Sequence, residues 1–322
     1  MARRGPADLD GVLVLAKPAG PTSHDVVALV RRLGGTRRVG HGGTLDPFAS
    51  GVLPVFLGQA TRLVEYHMAD GKSYRAAVCL GARSTTDDLD GELRAGAGPA
   101  PGRTAVLAAL AGFRGSIDQR PPVFSALKVG GRRAYELARA GTPAELAPRR
   151  VTIHRLELVA WDDRDPERPV ATLEVECGAG TYIRSIARDL GERLGCGGYL
   201  GALTRTASGP FRLEDALALD RLREAAAAGR EELVRLLLPV DAGLDRLPRV
   251  TLSADEVEAA RQGRPVRPGR RPGPLEQEAA VRLVDPDGRL VGIGLWRAGR
   301  VQPDKILGAP PSDAPAAGDE RG

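Results

Sequence analysis

Within residues 170–177, polar and apolar side chains alternate strictly from Thr172 to Cys177, and this pattern restricts the local fold more than any other in the sequence. Because successive side chains of a strand point to opposite faces of its sheet, this pattern predicts a strand with one buried face. The apolar face carries Leu173, Val175 and Cys177, and the polar face carries Thr172, Glu174 and Glu176. Similar segments at 11–16, 73–80 and 151–160 predict further strands, and the apolar run 52–57 lies between them.

Helical periodicity is clearest over residues 180–195, for which we predict a helix with Thr181 as its N-cap. Its apolar stripe consists of Ile183, Ile186, Ala187, Leu190 and Leu194. A second helix is predicted over 24–33, capped by Ser23, and residues 59–67 also have a helical pattern. The glycine-rich polar stretch 34–51 is expected to be a loop.

Composition shifts divide the chain into three parts. A joint between Pro239 and Pro248 separates a larger domain at 8–247 from a small unit at 248–308. The small unit has strand-like pieces at 279–284 and 290–296. The tail 309–322 is rich in Pro, Ala, Gly and Asp, a composition that predicts disorder.

Charge and cysteine content narrow the function classes. The net charge of +5 and pI of about 9.4 suit a polyanionic partner. Three widely spaced cysteines without a C-x-x-C motif argue against a disulfide framework or zinc site and suit a reducing, cytoplasmic location. The N-terminus lacks the apolar segment of a signal peptide, and we expect no membrane span.

The segment Val39–Pro47, with sequence VGHGGTLDP, places one carboxylate on a glycine-rich loop. Pro47 keeps the backbone of Asp46 out of the helical region, so the carboxylate is fixed on an extended piece of loop. The segment matches neither a dinucleotide-binding nor a P-loop motif, and no nearby acidic or histidine cluster predicts a metal. Two interpretations remain open: nucleophilic or base catalysis by a single Asp, or a structural turn with an Asx cap.

Three other segments carry candidate site residues, each with an ordinary structural alternative. Arg184 lies in the first turn of the predicted helix 180–195, where it either pairs with a carboxylate and lowers its pKa or is a surface arginine. Tyr74 lies in a predicted strand and either offers its ring to a base or packs in the core. Lys17 ends a buried strand and either borders a site or solvates the strand end.

In combination, these segments resemble a known family. The motifs G-V-L-x-L-x-K-P-x-G, G-H-G-G-T-L-D-P-x-A-x-G-V-L-P, K-x-Y, S-A-L-K and G-T-Y-I-R-x-I-x-x-D-L-G occur in the order found in the TruB family of tRNA pseudouridine-55 synthases. The resemblance runs from about Leu9 to Phe211. It implies an α+β fold, with a central mostly antiparallel sheet flanked by helices, and a small β-rich C-terminal domain similar to PUA RNA-binding domains. One departure is Ala16, where the family often has an acidic residue.

The resemblance also implies an activity and a set of site residues. The reaction isomerises a uridine of the TΨC loop to pseudouridine and needs no cofactor or metal, because substrate and product are isomers. Asp46 is the implied catalytic residue, which either attacks C1′ or abstracts the 2′ proton. The implied substrate-binding residues are Tyr74 stacked on the uracil, Arg184 paired with Asp46, Tyr182 and Lys17 beside them, Leu203 in the pocket wall, and His41 as the wedge that replaces the flipped base.

Partners follow from the same resemblance. We expect a monomer that binds the TΨC stem-loop of tRNA without an obligatory protein partner. Candidate phosphate contacts, with ordinary solvated charge as the alternative, are Arg31, Arg32, Arg37, Arg38, Arg132 and Arg133. The five arginines of 261–271 are candidates for contact with the acceptor stem. Two other functions remain open: a tRNA-binding and folding protein whose catalysis is dispensable, and a related synthase that acts on other RNA within a guide complex.

Overall fold

The computed structural model describes residues 9–125, 127–142, 144–269 and 273–308, so the predicted tail 309–322 lies outside the described residues. The strands are β1 Gly11–Lys17, β2 Val39–His41, β3 Ser50–Leu57, β4 Lys72–Leu80, β5 Ala82–Ser84, β6 Leu93–Ala95, β7 Gly115–Gln119, β8 Lys128–Val129, β9 Arg132–Arg133, β10 Arg149–Asp162, β11 Val170–Cys177, β12 Gly198–Ser208, β13 Phe211–Arg212, β14 Leu217–Ala218, β15 Arg249–Thr251, β16 Ala280–Val284, β17 Leu290–Arg297 and β18 Arg300–Ile306.

The α-helices are α1 Ser23–Gly34, α2 Val64–Met68, α3 Arg103–Leu110, α4 Ala134–Arg139, α5 Ile183–Arg193, α6 Leu219–Ala228, α7 Arg230–Arg235 and α8 Ala254–Arg261, with 3₁₀ turns at Gly58–Leu63 and Ala111–Phe113. No helix in the described part of the chain is both long enough and apolar enough to cross a membrane.

One large mixed sheet organises the larger part of the chain. Its strand order is β14-β1-β3-β12-β4-β11-β10-β7, with β2 paired to β3 and β13 paired to β12. Neighbours in this order are antiparallel except β1 with β14 and β3 with β12. The predicted α+β class with a mostly antiparallel central sheet is therefore confirmed.

The central strand β12 was not predicted. Its sequence GYLGALTRTAS mixes glycine, threonine and a charged residue and lacks a clear apolar alternation. It becomes a strand because it lies between β3 and β4 and pairs with both. The strands predicted at 11–16, 73–80, 151–160 and 170–177 are all present.

Helix α5 packs closely on β12. A Cβ atom on Gly191 would lie 2.0 Å from the backbone nitrogen of Gly198, so the helix can approach the strand only because this position is glycine. The inner face of α5 buries Ile183, Ile186 and Leu190, as the predicted stripe requires. This close contact fixes α5 against β12, a central strand of the sheet.

Both predicted helix caps were wrong. The N-cap of α1 is Thr22, whose side chain forms a reciprocal capping box with Asp25. Ser23 instead binds the backbone of Leu45, as described below. Helix α5 begins at Ile183 with Tyr182 as its N-cap, and the Thr181 hydroxyl donates to the Gly178 carbonyl.

The small C-terminal unit is a four-stranded sheet in the order β15-β16-β17-β18 with α8 against it. Strand β18 was missed by the sequence pattern. Polar contacts join this unit to the larger part of the chain: the Tyr66 hydroxyl to Asp304 at 2.7 Å, Lys305 to Glu65 at 3.1 Å, and Arg282 to Asp245 at 2.7 Å.

Candidate active site

The glycine-rich loop between β2 and β3 carries Asp46, and three side chains hold its backbone. Lys17 Nζ donates to the carbonyls of Ala49 at 2.7 Å and Pro47 at 3.3 Å. The Ser23 hydroxyl accepts from the Leu45 N–H at 2.9 Å and lies 3.1 Å from the Leu45 carbonyl. The part before Leu45 is held by Arg205. A short strand, β2, replaces the beginning of the predicted loop.

Arg205 donates to the carbonyl of Gly43 at 3.1 Å and to that of Thr44 at 3.4 Å. Its Nε atom also donates to the Val52 carbonyl at 2.9 Å, at the start of β3. The backbone on both sides of Asp46 is therefore fixed by buried hydrogen bonds, which orients the carboxylate before any substrate binds.

Arg184, in the first turn of α5, forms an ion pair with Asp46. Its Nε lies 3.0 Å from Asp46 Oδ2, and Nη2 is 3.4 Å from Oδ1. Arg184 is 6% exposed, whereas the Asp46 side chain is 34% exposed. The carboxylate is therefore backed by a buried guanidinium and keeps an open side toward solvent.

The guanidinium of Arg184 is held from its other edge by groups that the sequence did not reveal. Nη1 lies 3.1 Å from Asp88 Oδ2 and 3.1 Å from the Thr86 carbonyl, and Nη2 donates to the Phe124 carbonyl at 2.8 Å. Asp88 is itself buried and accepts from the Asp90 N–H at 3.0 Å. The segment predicted only as a turn at 85–92 thus supplies the second carboxylate of an Asp–Arg–Asp network.

The pKa of Asp46 lies above its usual range, although Arg184 acts to lower it. Burial raises the pKa of this carboxyl above its usual range, and the negative charges of Asp88 and Asp90 act in the same direction. Arg184 is the largest opposing influence, followed by Lys17. The predicted lowering of the pKa by Arg184 is present, but burial outweighs it and the pKa is raised.

A row of four paired positions crosses β1, β3, β12 and β4: Lys17, Gly51, Arg205 and Tyr74. Lys17 is 1% exposed, and burial lowers its pKa to about 8 although Asp46 raises it. Tyr74 is 8% exposed, and burial raises its pKa to about 12 against the opposing charge of Arg205. Tyr74 also packs in the same apolar cluster as Leu203 and Leu45.

His41, at the end of β2, begins the loop that carries Asp46. Its Nδ1 accepts from the Gly43 N–H at 3.3 Å, and its ring meets that of His24 edge to face at 5.6 Å. Burial lowers the pKa of His41 to about 4, with His24 and Arg205 adding to the effect. The imidazole is therefore neutral near pH 7.

Tyr182 is fixed by its backbone just before α5. Its N–H donates to Gln119 Oε1 at 2.8 Å, and its carbonyl accepts from Gln119 Nε2 at 3.1 Å. Burial raises the pKa of its hydroxyl. This double clamp sets the position from which α5 starts and thus the position of Arg184.

The candidate phosphate-binding arginines lie outside this cluster. Arg31 donates from Nη2 to the Val39 carbonyl at 2.8 Å and so supports the start of β2. The remaining described members are exposed: Arg32, Arg37, Arg38, Arg132, Arg133, Arg261, Arg264 and Arg267. Arg270 and Arg271 lie outside the described residues. Within the described ranges, no group of three or more His, Cys, Asp or Glu side chains is placed to hold a metal ion.

Comparison with solved structures defines the class of this fold. A chain in the "Structure of H/ACA RNP bound to a substrate RNA containing 2'-deoxyuridine" superposes with a TM-score of 0.72 at 26% identity, covering 94% of this chain and 86% of that one. The fold is that of the pseudouridine synthases.

The family follows from the sequence comparisons. Residues 31–183 match "TruB family pseudouridylate synthase (N terminal domain)", 184–245 match "tRNA pseudouridylate synthase B C-terminal domain" and 248–307 match "Pseudouridine synthase II TruB, C-terminal". The tRNA pseudouridine synthase B of Chelativorans sp. is 42% identical over 96% of this chain and 100% of its own length. That of Parasynechococcus marenigrum is 47% identical over 93% and 98%. The chain belongs to the TruB family of pseudouridine synthases.

Proposed function

We propose that this protein converts uridine 55 in the TΨC loop of tRNA to pseudouridine, with Asp46 as the catalytic residue. The broader activity is that of an isomerase that makes pseudouridine in tRNA, in agreement with relatives named tRNA pseudouridine synthase B along nearly the whole chain. The assignment of Asp46 rests on its ion pair with Arg184. The guanidinium is buried, whereas the carboxylate of Asp46 is partly exposed to solvent.

The reaction breaks the bond between uracil N1 and C1′ and forms a bond between C5 and C1′. A carboxylate promotes either entry route, attack on C1′ or removal of the 2′ proton, only in its ionised form. Burial disfavours that form, and Arg184 opposes this effect by its charge, through the ion pair with Oδ2 and the hydrogen bond to Oδ1. Because Asp88 occupies the far edge of the guanidinium, Arg184 is held with its near edge directed at Asp46.

The other site residues take roles that do not require a titrating group. The Tyr74 ring stacks on the uracil, with Leu203 and Tyr182 lining the pocket and Lys17 holding the loop that carries Asp46. The neutral His41 fills the space that the flipped base vacates, since an uncharged aromatic ring replaces base stacking at low desolvation cost. Lost stacking is then partly offset before the chemical step begins.

We further propose that residues 8–247 form the catalytic domain and 248–308 a PUA-like RNA-binding domain. Exposed arginines beside the catalytic loop, Arg32, Arg37 and Arg38, bind tRNA phosphates, and the protein acts as a monomer in the cytoplasm without a protein partner. The solved relative is part of an H/ACA RNP. Nearly whole-length identity of 42% and 47% to proteins named tRNA pseudouridine synthase B, against 26% to that chain, favours direct recognition of tRNA.

The test is to incubate the purified protein with an unmodified tRNA transcript and to map pseudouridine by carbodiimide primer extension. A transcript with cytidine at position 55 is the matched control, and no guide RNA or second protein is added. We expect one new stop at position 55 that is absent from the control transcript. Modification only at another position, or only after addition of a guide RNA, would refute the proposal.

A further inference from the structure

Arg205 is a buried cation at the site that the sequence analysis did not single out. We propose that Arg205 is a positioning residue of the isomerisation, which fixes the first half of the catalytic loop against Tyr74. This inference rests on the proposed function. It predicts that Arg205 contributes to the rate of the chemical step and not to the affinity for tRNA.

The burial of Arg205 is complete, with 0% of its surface exposed. An ionised side chain is costly to remove from water unless its donors are all satisfied. In the part of the chain that the structure describes, its hydrogen bonds go to the backbone carbonyls of Gly43, Thr44 and Val52, with no carboxylate among these partners. A salt bridge therefore does not explain why a charge is retained here.

The neighbours of Arg205 in the sheet explain its placement. It pairs with Gly51 of β3 on one side and with Tyr74 of β4 on the other. A Cβ atom at Gly51, where φ is 119°, would lie 2.2 Å from the Arg205 carbonyl, so β3 approaches β12 here only as glycine. The Arg205 charge in turn opposes the burial that raises the pKa of Tyr74. One side chain thus links the catalytic loop with the residue proposed to stack on the uracil.

Three side chains hold the catalytic loop by hydrogen bonds to its backbone. Lys17 and Ser23 bind its later part, at Pro47, Ala49 and Leu45. Only Arg205 among these three binds the Gly43–Thr44 part, which lies between His41 and Asp46. Gly43 has a φ of 127° and is conformationally permissive, so this part moves most easily once its carbonyls are released.

The chemistry of the side chain predicts which replacement fails. Arginine satisfies several carbonyls at once through the fixed fork of its guanidinium, whereas lysine offers a single nitrogen. Displacement of a reacting group by about 1 Å costs roughly 100-fold in rate. The exposed arginines that are proposed to bind tRNA phosphates are not among the hydrogen-bond partners of Arg205, so affinity for tRNA is expected to persist.

The test compares Arg205→Met and Arg205→Lys with wild type in single-turnover pseudouridine formation and in tRNA binding. We expect Arg205→Met to be roughly 30- to 100-fold slower, because of the displaced loop, with Kd changed less than about threefold. Arg205→Lys should recover part of the rate. In a Tyr74→Phe background, Arg205→Met should cost less than in wild type, because the Arg205 charge then has no Tyr74 hydroxyl to act on.

Ile153→Val is the matched control, since Ile153 is also 0% exposed and lies in the same apolar cluster as Tyr74, but is paired in the sheet with Gly115 and Cys177 rather than with Gly51 and Tyr74. It should lower thermal stability with no change in rate. If Arg205→Met does not fold, a loss of about fivefold or more in Arg205→Lys at unchanged Kd supports the proposal. A wild-type rate in either variant, or a loss confined to Kd, overturns it. An inactive wild type would instead refute the proposed function itself, and this inference with it.

Discussion

The pH at which the enzyme loses activity on the acid side should move in opposite directions when the two neighbours of Asp46 are changed. Arg184 stabilises the Asp46 carboxylate, and Asp88 destabilises it. Removing only Asp88 by Asp88→Asn should therefore lower the pKa of Asp46. Removing Arg184 as well, in Arg184→Met/Asp88→Asn, should raise it above the wild-type value. The double variant avoids leaving Asp88 as a buried unpaired charge, which would cost about 3–5 kcal/mol.

The size of the shift follows from the geometry. Opposite charges near 4 Å interact by about 4 kcal/mol at an effective dielectric constant of 20. The Arg184–Asp46 contact is 3.0 Å, but Arg184 is shared with Asp88 and the Asp46 side chain is 34% exposed, so we take the lower part of that scale. Since one pKa unit is about 1.4 kcal/mol, the double variant should shift the pKa of Asp46 upward by about 1–2 units.

The assay is the single-turnover rate of pseudouridine formation measured from pH 5 upward on one tRNA transcript. In the proposed mechanism Asp46 acts in its ionised form, and its protonation increases as pH falls, so a raised pKa moves the acid limb to higher pH. Arg188→Met is the control, since Arg188 lies one turn further along α5 and pairs with Asp87 and Asp189 instead. It should leave the acid limb in place. Equal losses at every pH, with no displacement in opposite directions, would refute the electrostatic role of Arg184.

Three other changes test the same geometry. His41→Ala should slow modification of intact tRNA by roughly tenfold or more, because no ring then fills the space of the flipped base. The shape of the pH–rate profile should not change, because the pKa of His41 is about 4. A new inflection near neutral pH would contradict this. Burial lowers the pKa of Lys17 to about 8 in the folded state, against 10.5 for the unfolded side chain. Urea denaturation should therefore show the stability of wild type relative to Lys17→Met rising between these pH values by about 3 kcal/mol. A stability difference that does not change with pH would argue against the lowered pKa. Arg37→Ala/Arg38→Ala should weaken tRNA binding and reduce the slope of log Kd against log salt concentration by about two. The control Arg103→Ala, at the start of helix α3, should leave this slope unchanged. An unchanged slope in the double variant would exclude these phosphate contacts.

Much of the sheet was predictable from the sequence, because β1, β4, β10 and β11 carry local apolar patterns that burial enforces. Strand β12 was not predictable in this way. Its residues are strand-forming only through pairing with β3 and β4, which are distant in sequence. The helix caps failed for a related reason: Ser23 has a tertiary partner in Leu45, and this contact leaves capping to Thr22.

The candidate site likewise contains residues that the sequence revealed and residues that it did not. Asp46, Lys17, Tyr74 and Arg184 were found through motifs whose order along the chain is informative. Asp88 and Arg205 had no such signal, since one lies in an acidic turn and the other is one arginine among many. Their importance comes from burial and from contacts with residues distant in sequence: Asp88 pairs with Arg184, and Arg205 donates to the carbonyl of Gly43, 162 residues away. The net direction of the Asp46 pKa was likewise inaccessible, because it depends on how deeply the loop is buried.

The most direct test of the central claim is to measure single-turnover pseudouridine formation and tRNA affinity for wild type and Asp46→Asn on the same transcript. Asparagine is close to aspartate in size but carries no negative charge. We expect the variant to bind tRNA with a Kd within about threefold of wild type while its rate falls at least about 10⁴-fold, as happens when an essential catalytic group is removed. A variant that still forms pseudouridine at position 55 at a substantial rate would contradict the assignment of Asp46 as the catalytic residue.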